Sequence, residues 1–275
     1  MIKKIFHLAD VHIPNNVQQR PYMDMLKQAL SELYQEAKKY KQDEIRIAVV
    51  GDIYHNKIRV SNEATNMFHK TLNYLNAIGK TILVAGNHDM LENNQTRIDS
   101  ISPTFEISDV YPNITYADKS LGYKSGCIVD DNVIWVLYSM YDKFVKPNVE
   151  EVIETNPDKK VVGLFHGDIA GATTDTGRMV ECGIDTDSFE CCDCVMAGHI
   201  HKHQEIKKNG VPLVYCGSLF QQNSGENTTG HGFLTWDVET MSYKLHEVTN
   251  NYKTYKFKIT DYTDVTDDVE KLLNL

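Results

Sequence analysis

The sequence lacks any long hydrophobic run. Its apolar stretches reach only about five or six residues, against the roughly 20 that a membrane-spanning helix needs. The opening Met1-Ile2-Lys3-Lys4 meets His7 and Asp10 within a few residues, which does not read as a secretory leader, and a cytoplasmic location is expected. An excess of basic charge is missing as well. Lys and Arg number 28 against 38 Asp and Glu, a net charge of −10. The field of the whole molecule repels nucleic acid, so any DNA binding must use local basic patches, metal ions or a partner subunit. Paired CxxC motifs are also absent among the 6 cysteines. Cys191-Cys192-Asp193-Cys194 runs straight into Val195-Met196-Ala197 and reads as strand-core thiols rather than a metal or redox cluster. No internal repeat or low-complexity tract is visible.

What remains is a globular composition, 41% hydrophobic and 24% charged over 275 residues, enough for one large domain or one domain plus an appendage. Short β-type runs recur at residues 5–9, 45–50, 81–85, 133–137, 161–165, 195–197, 211–216 and 233–237. Between the early ones lie helical spacings: Leu26, Leu30, Leu33 and Ala37, then Ala64, Met67, Phe68, Thr71, Leu72 and Leu75. Gly79 follows the second pattern where a left-handed helix cap is expected. The first half reads as β-α-β-α-β and the second half is richer in strands. After about residue 250 the chain turns Tyr- and Lys-rich, then acidic, and ends in a short amphipathic segment at Leu272-Leu273.

Nearly every strand of this α/β core delivers metal-type ligands at its carboxyl end. Residues 5–9 lead to Asp10 and His12, 45–50 to Asp52, 81–85 to Asn87, His88 and Asp89, 161–165 to His166, and 195–197 to His199 and His201. In open α/β sheets the carboxyl ends of the strands form the binding crevice, so the five segments can converge. The i, i+2 spacing of Asp10 with His12 and of His199 with His201 puts each pair on one side of an extended chain. Glycines before Asp52, Asn87 and His199 allow close turns. His7 reads as a hydrogen-bonded core residue. His203 is a loop residue or a phosphate contact, and Asp168 a turn aspartate or a support for ligand His166.

The ordered set Asp10-x-His12, Gly51-Asp52, Gly86-Asn87-His88-Asp89, His166-Gly167 and Gly198-His199-x-His201 resembles the calcineurin-like metallophosphoesterase superfamily over residues 5 to about 240. Gly51-Asp52-Ile53-Tyr54-His55, the run Gly198 to Gln204, and the later Gly217-Ser218 and Gly225-Glu226 are similar to its double-strand-break-repair nucleases, the SbcD type and its phage relatives. The GDxVDRG and GNHE motifs of phosphoprotein phosphatases are absent. The resemblance implies a four-layer α-β-β-α sandwich with two facing mixed sheets. It implies a dimetal domain over residues 1–250 and, over 251–275, the start of a truncated or minimal capping segment.

Carried over by resemblance, Asp10, His12 and His201 hold one ion, Asn87, His166 and His199 the other, and Asp52 bridges them. Two divalent ions less two carboxylates leave a charge of about +2 for a phosphodiester, and such a pair clamps both oxygens of an in-line displacement. Four imidazoles argue against Mg²⁺ and for Mn²⁺, with Fe²⁺ or Zn²⁺ as alternatives. His88 resembles the catalytic histidine, with Asp89 fixing its tautomer. His55 is a substrate-facing or supporting histidine that separates a nuclease from a generic phosphoesterase. Arg20, Lys57, Arg59, Arg97, Arg178 and Lys202 are candidate DNA phosphate contacts. The expected activity is Mn²⁺-dependent exonuclease and endonuclease cleavage, with an SbcC-type ABC-ATPase as partner, a homodimer as a further option, and the host cytoplasm as location if a phage encodes the chain. A small-molecule phosphodiesterase or phosphatase of the same superfamily and a non-catalytic scaffold are the alternatives.

Overall fold

The structure, a computed structural model, describes residues 1–16, 20–91, 93–94, 96–106, 110–208 and 210–256. The amphipathic segment expected at Leu272-Leu273 lies outside them. One sheet holds β1 (Lys4–Leu8), β2 (Ile45–Val50), β3 (Thr81–Val84), β4 (Ile114–Tyr116), β11 (Gly232–Asp237) and β12 (Tyr243–Glu247) in the order β12-β11-β1-β2-β3-β4. The other holds β5 (Gly126–Asp130), β6 (Val133–Tyr138), β7 (Lys160–His166), β8 (Cys194–Gly198), β9 (Gln204–Lys208) and β10 (Val211–Tyr215) in the order β5-β6-β7-β8-β10-β9. Both are mixed. β1 to β4 pair in parallel, as do β6, β7, β8 and β10, and antiparallel strands close the edges.

Alternation along β1 sorts its side chains. Ile5 faces the second sheet, where it joins Val50, Trp135, Leu164, Met196, Leu234 and Trp236 in a dry core. Phe6 and Leu8 face outward and pack under two helices. These are α1 (Arg20–Ala37), which contributes Leu26, Leu30 and Leu33, and α2 (Asn62–Ile78), which contributes Phe68, Leu72 and Leu75. Each such fully buried side chain is worth about 2 kcal/mol. Ser61 caps α2 by accepting from the Ala64 amide at 3.1 Å. Gly79 is not the left-handed cap expected: its φ is 175°, extended, although its N–H still reaches the Leu75 carbonyl. A methyl there would press on Ile45 at 3.2 Å, so close packing explains the glycine. A single helical turn, α3 (Ala117–Ser120), follows β4 directly.

The outer face of the second sheet buries Tyr138, Phe165, Phe189 and Tyr215 beneath a thinner layer. That layer has the five-residue helix α4 (Glu150–Glu154) and the long connection from β7 to β8 in place of long helices. The molecule is thus the α-β-β-α sandwich with its fourth layer made mostly of loop. At the end of the sandwich remote from the strands' carboxyl termini, buried Arg46 on β2 makes two bonds to Asp130 on β5, at 2.5 and 2.8 Å, joining one sheet to the other.

Candidate metal centre

The loops after β1 and β2 run side by side beyond the sheet. Asp10 donates its amide to the Gly51 carbonyl at 3.1 Å, His12 to Asp52 at 2.9 Å and Ile13 to Ile53 at 2.7 Å. Asp10, His12 and Asp52 have φ near +50° and His199 has φ +100°, so four of the seven expected ligands sit in backbone that L-residues avoid. Such positions cost about 1–2 kcal/mol each and persist where function holds them. Asp10 and His12 therefore do not share one face of an extended strand. A left-handed turn at each brings the two side chains together.

Two glycines clear the centre. Gly51, at φ +80°, lies so close to the His166 ring that a methyl would collide with Nδ1. A methyl on Gly86 would strike both the amide and the carboxylate of Asp52. In the space so made, donor atoms of Asp10, His12 and His201 lie within 4.8 Å of one another, as do those of Asp52, His166 and His199. The Nε2 atoms of His12 and His201 are 2.9 Å apart, and His166 Nε2 lies 3.3 Å from Asp52 Oδ1. Asn87 Oδ1 is 2.9 Å from His199 Nδ1 and 3.3 Å from His166 Nε2, joining the second group. Asp52 Oδ2 is 3.6 Å from His12, so this one carboxylate faces both groups.

The second nitrogen of several rings is committed. His166 Nδ1 meets the Val50 carbonyl at 2.8 Å, and His201 Nδ1 meets Glu226 Oε1 at 2.8 Å. Each leaves Nε2 facing the centre, the arrangement by which histidine ligands are aimed. The protein's own charges in the centre are poorly matched. Burial pushes the Asp10 carboxyl up to about 6. Burial also works to neutralise His166, but the Asp52 carboxylate overrides it and raises the ring to about 9. At His201 the Glu226 carboxylate likewise overcomes burial, again to about 9. Burial raises Asp52 too, yet the surrounding imidazoles hold it well below the usual carboxylate range.

The donor set fits divalent cations. Two ring nitrogens bound to one ion at about 2.1 Å and roughly a right angle stand about 3 Å apart, close to the 2.9 Å between His12 and His201. Two imidazole nitrogens that near each other need a proton or a cation between them. Buried carboxylates facing buried imidazoles supply the mixed oxygen and nitrogen donors that first-row ions take.

The remaining expected residues fall around this centre. The His88 amide donates to Asp52 Oδ1 at 2.8 Å, and its ring Nδ1 meets the His55 carbonyl at 2.6 Å. Asp89 therefore does not fix the His88 tautomer. Its carboxylate is taken by the amides of Ile53, Tyr54 and Gly86, which knits the two ligand loops together. Asp168 does not support His166 either, because Val50 already does. It is exposed and lies 3.5 Å from His199 Nε2. The exposed His55 ring lies 5.8 Å from that of His88 and 5.5 Å from that of His12. His203 Nδ1 is occupied by the Tyr215 carbonyl at 2.9 Å. His7 is wholly buried, and among the described residues neither ring nitrogen has a well-formed hydrogen bond, with only the Ala197 backbone bearing on it, contrary to expectation.

Lys57 and Arg97 line a cavity of about 480 Å³ that also includes Tyr54 and Asp89, with Arg97 donating to the Ile58 carbonyl at 2.7 Å. Exposed Arg59 offers its carbonyl to Asn15. On the opposite flank Lys202 reaches Thr173 Oγ1 at 3.3 Å, next to the exposed hairpin that carries Arg178. Arg20 opens α1, and its side chain lies outside the described residues. Glu226 and the carbonyls of Val50 and His55 were not legible as parts of the site. Only the Gly225-Glu226 pair hinted at the first, and backbone carbonyls leave no mark on a sequence.

The family model for calcineurin-like phosphoesterases matches residues 3–203. An uncharacterised protein of Acanthamoeba polyphaga mimivirus, R555, is 32% identical over 94% of this chain, which spans 19% of that protein's length. The SbcD component of the nuclease SbcCD from Staphylococcus epidermidis is 26% identical over 98% of this chain and 82% of its own. A solved structure at 14% identity superposes with a TM-score of 0.52 over 90% of this chain and 100% of its own, a likeness of fold alone. Among the described residues no helix is long and apolar enough to cross a membrane. With the family match reaching from the first strand through His201, the chain belongs to the calcineurin-like phosphoesterase family.

Proposed function

We propose that the chain is a DNA nuclease that cleaves phosphodiester bonds by two-ion hydrolysis, with manganese as the working metal, in recombination or double-strand-break repair. One observation carries the reading: two ligand groups share Asp52, and the same carboxylate anchors His88 beside them through its amide. Asp10, His12 and His201 would hold one ion and Asn87, His166 and His199 the other. Ions so held supply Lewis-acid polarisation of the phosphate and a lowered water pKa.

The protein's own groups do the rest. With Nδ1 directed at the His55 carbonyl, Nε2 is the nitrogen through which His88 would carry the attacking water's proton to the departing oxygen. His55, exposed beside His88, is placed to contact the substrate strand. The flanks bearing Lys57 and Arg97 on one side and Lys202 and Arg178 on the other supply the local positive charge that a chain of net charge −10 otherwise lacks. Four imidazole donors favour Mn²⁺, Fe²⁺ or Zn²⁺ over Mg²⁺.

Similarity to a protein named as part of the SbcCD nuclease supports DNA as substrate and an SbcC-type ATPase as partner. A homodimer, a cytoplasmic location and a capping segment beginning near residue 251 belong to the same reading. The test is digestion of end-labelled duplex and hairpin DNA with Mn²⁺, run beside a nitrophenyl phosphodiester. Shortening or nicking of DNA that is lost in His88→Asn is the expected result. Turnover of the small ester with DNA left intact would replace the nuclease by a small-molecule phosphodiesterase.

A further inference from the structure

The run Cys191-Cys192-Asp193-Cys194 is not a uniform set of strand thiols. β8 begins at Cys194, and the two cysteines before it lie in the turn that leads into the strand. Their Sγ atoms stand 3.9 Å apart. The Tyr138 hydroxyl bridges them, 3.7 Å from Cys191 and 3.8 Å from Cys192, while it donates to the Ser188 carbonyl at 2.9 Å.

The neighbouring strand is shaped around this pair. Gly163 interrupts the apolar side chains of β7, and a methyl there would come 3.1 Å from Cys192 Sγ and 3.0 Å from Val195. Glycine inside a strand marks such a close approach. The two thiols also differ in kind: Cys192 is buried, whereas Cys191 is half-buried and reaches solvent. The hydrogen bond from Cys192, with Tyr138 and Lys146 adding to it, overcomes burial and lowers the pKa of the Cys191 thiol. The same contact, together with burial, raises that of Cys192.

An accessible thiol with thiolate character, set beside a second thiol that can resolve it, is the arrangement that peroxides oxidise reversibly. We propose that Cys191 and Cys192 form an oxidative modification site, at which hydrogen peroxide joins the two adjacent residues in a disulfide. In the first step the Cys191 sulfur attacks one peroxide oxygen and the O–O bond breaks. Cys191 becomes a sulfenic acid, and the other oxygen leaves as water with the proton that the Cys191 thiol gave up. In the second step the Cys192 sulfur attacks the sulfenic sulfur, the S–O bond breaks, and the hydroxyl leaves as water with the Cys192 proton. Two thiols and one peroxide thus become one disulfide and two waters. The sulfurs must close from 3.9 Å to about 2.05 Å. The pair lies at the opposite end of β8 from His199 and His201, so the inference stands apart from the reading of the metal centre.

The test exposes the folded, chelator-treated chain to a small molar excess of hydrogen peroxide. The chain is then denatured, alkylated with iodoacetamide and mapped by peptide mass spectrometry. The peptide carrying residues 191–194 should lose two hydrogens, with Cys191 and Cys192 both protected from alkylation and Cys194 still alkylated. Dithiothreitol should restore both thiols. Cys192→Ser should stop at a sulfenic acid that dimedone traps on Cys191, while Cys191→Ser should leave Cys192 reduced. Circular dichroism checks that both variants are folded, and the disulfide itself is read in the unaltered chain. Full alkylation of Cys191 and Cys192 after peroxide, or a bridge from either to Cys182 or to a second chain, would overturn the proposal. Equal dimedone labelling of the two variants would overturn the division of roles on which it rests.

Discussion

The buried carboxylate of Glu226 meets Nδ1 of His201 at 2.8 Å and is itself held by the amide of Gln222 at 2.8 Å and the side chain of Asn223 at 2.5 Å. A ligand-bearing turn from one sheet is thus aimed by a loop that leads into the other. The same loop is tied to the segment after β12: Gln221 exchanges two bonds with the Thr254 backbone, at 2.8 and 2.9 Å, while donating to the Glu226 carbonyl. His201 is therefore oriented by residues whose own positions depend on the chain near residue 254.

Removing the carboxylate should loosen the ion that His201 helps to hold. Glu226→Ala is expected to weaken divalent-ion affinity by about 10–100-fold, the usual loss for such a support. Glu226→Gln, which keeps an accepting oxygen, should lose less. Equilibrium dialysis with Mn²⁺ reads both, and unchanged affinity in the alanine variant would show that Glu226 does not aim the ring.

The centre is also protected by an absence of atoms. Gly86→Ala places a methyl against the Asp52 amide and carboxylate and 2.8 Å from His166 Nε2, none of which is the free end of a flexible side chain. The variant should bind less metal and lose about 1–3 kcal/mol of stability from overpacking. Metal content and thermal unfolding measured together decide it, and a variant with full metal content and unaltered Tm would show that the loops yield.

The order of strands and the ligands at their ends were legible because both are periodic or local. Short, nearly continuous apolar runs mark β1, β2, β3, β6, β7, β8, β10 and β11, and a carboxylate or histidine just past a strand is visible in one dimension. The edge strands β4, β5, β9 and β12 escaped. They are short or more exposed, and tertiary pairing rather than an apolar run defines them. The geometry of the site escaped for a different reason. Left-handed backbone at Asp10, His12 and Asp52 follows from the cross-loop bonds between Asp10 and Gly51 and between His12 and Asp52, and such contacts have no local signature. For the same reason Asp89 read as a partner of the adjacent His88, when its partners are distant amides.

The Arg46–Asp130 pair should matter more when broken than when replaced. Arg46 is buried, and among the described residues it donates, besides Asp130, only to the carbonyls of Asp43 and Ile45. Asp130→Ala leaves that guanidinium without its carboxylate at the junction of the sheets, and about 3 kcal/mol of destabilisation is expected. Arg46→Met with Asp130→Leu removes both charges and should recover much of the loss. Chemical denaturation of the three variants measures this, and a double variant no better than Asp130→Ala would assign the effect to packing.

His7 supplies the clearest pH dependence. Its ring lies between the sheets, and burial, with His203 adding to the effect, pushes its pKa down to about 3 from an ordinary 6.5. Above pH 6.5 the ring is neutral whether the chain is folded or unfolded, so protonation favours neither state. As the pH falls below 6.5 the unfolded chain takes up a proton that the folded chain refuses, and stability falls by about 1.4 kcal/mol per pH unit until the folded ring titrates near 3. His7→Leu has no proton to take up, so its stability should decline less steeply over that range. It should also be at least as stable as the parent at pH 7, because it removes two buried ring nitrogens that make no well-formed hydrogen bond among the described residues. Denaturant titrations of both proteins between pH 4 and pH 7, in the presence of chelator so that metal release is common to both, give the difference directly. Parallel curves would mean that the unfolded and folded rings titrate alike and that the ring reaches water.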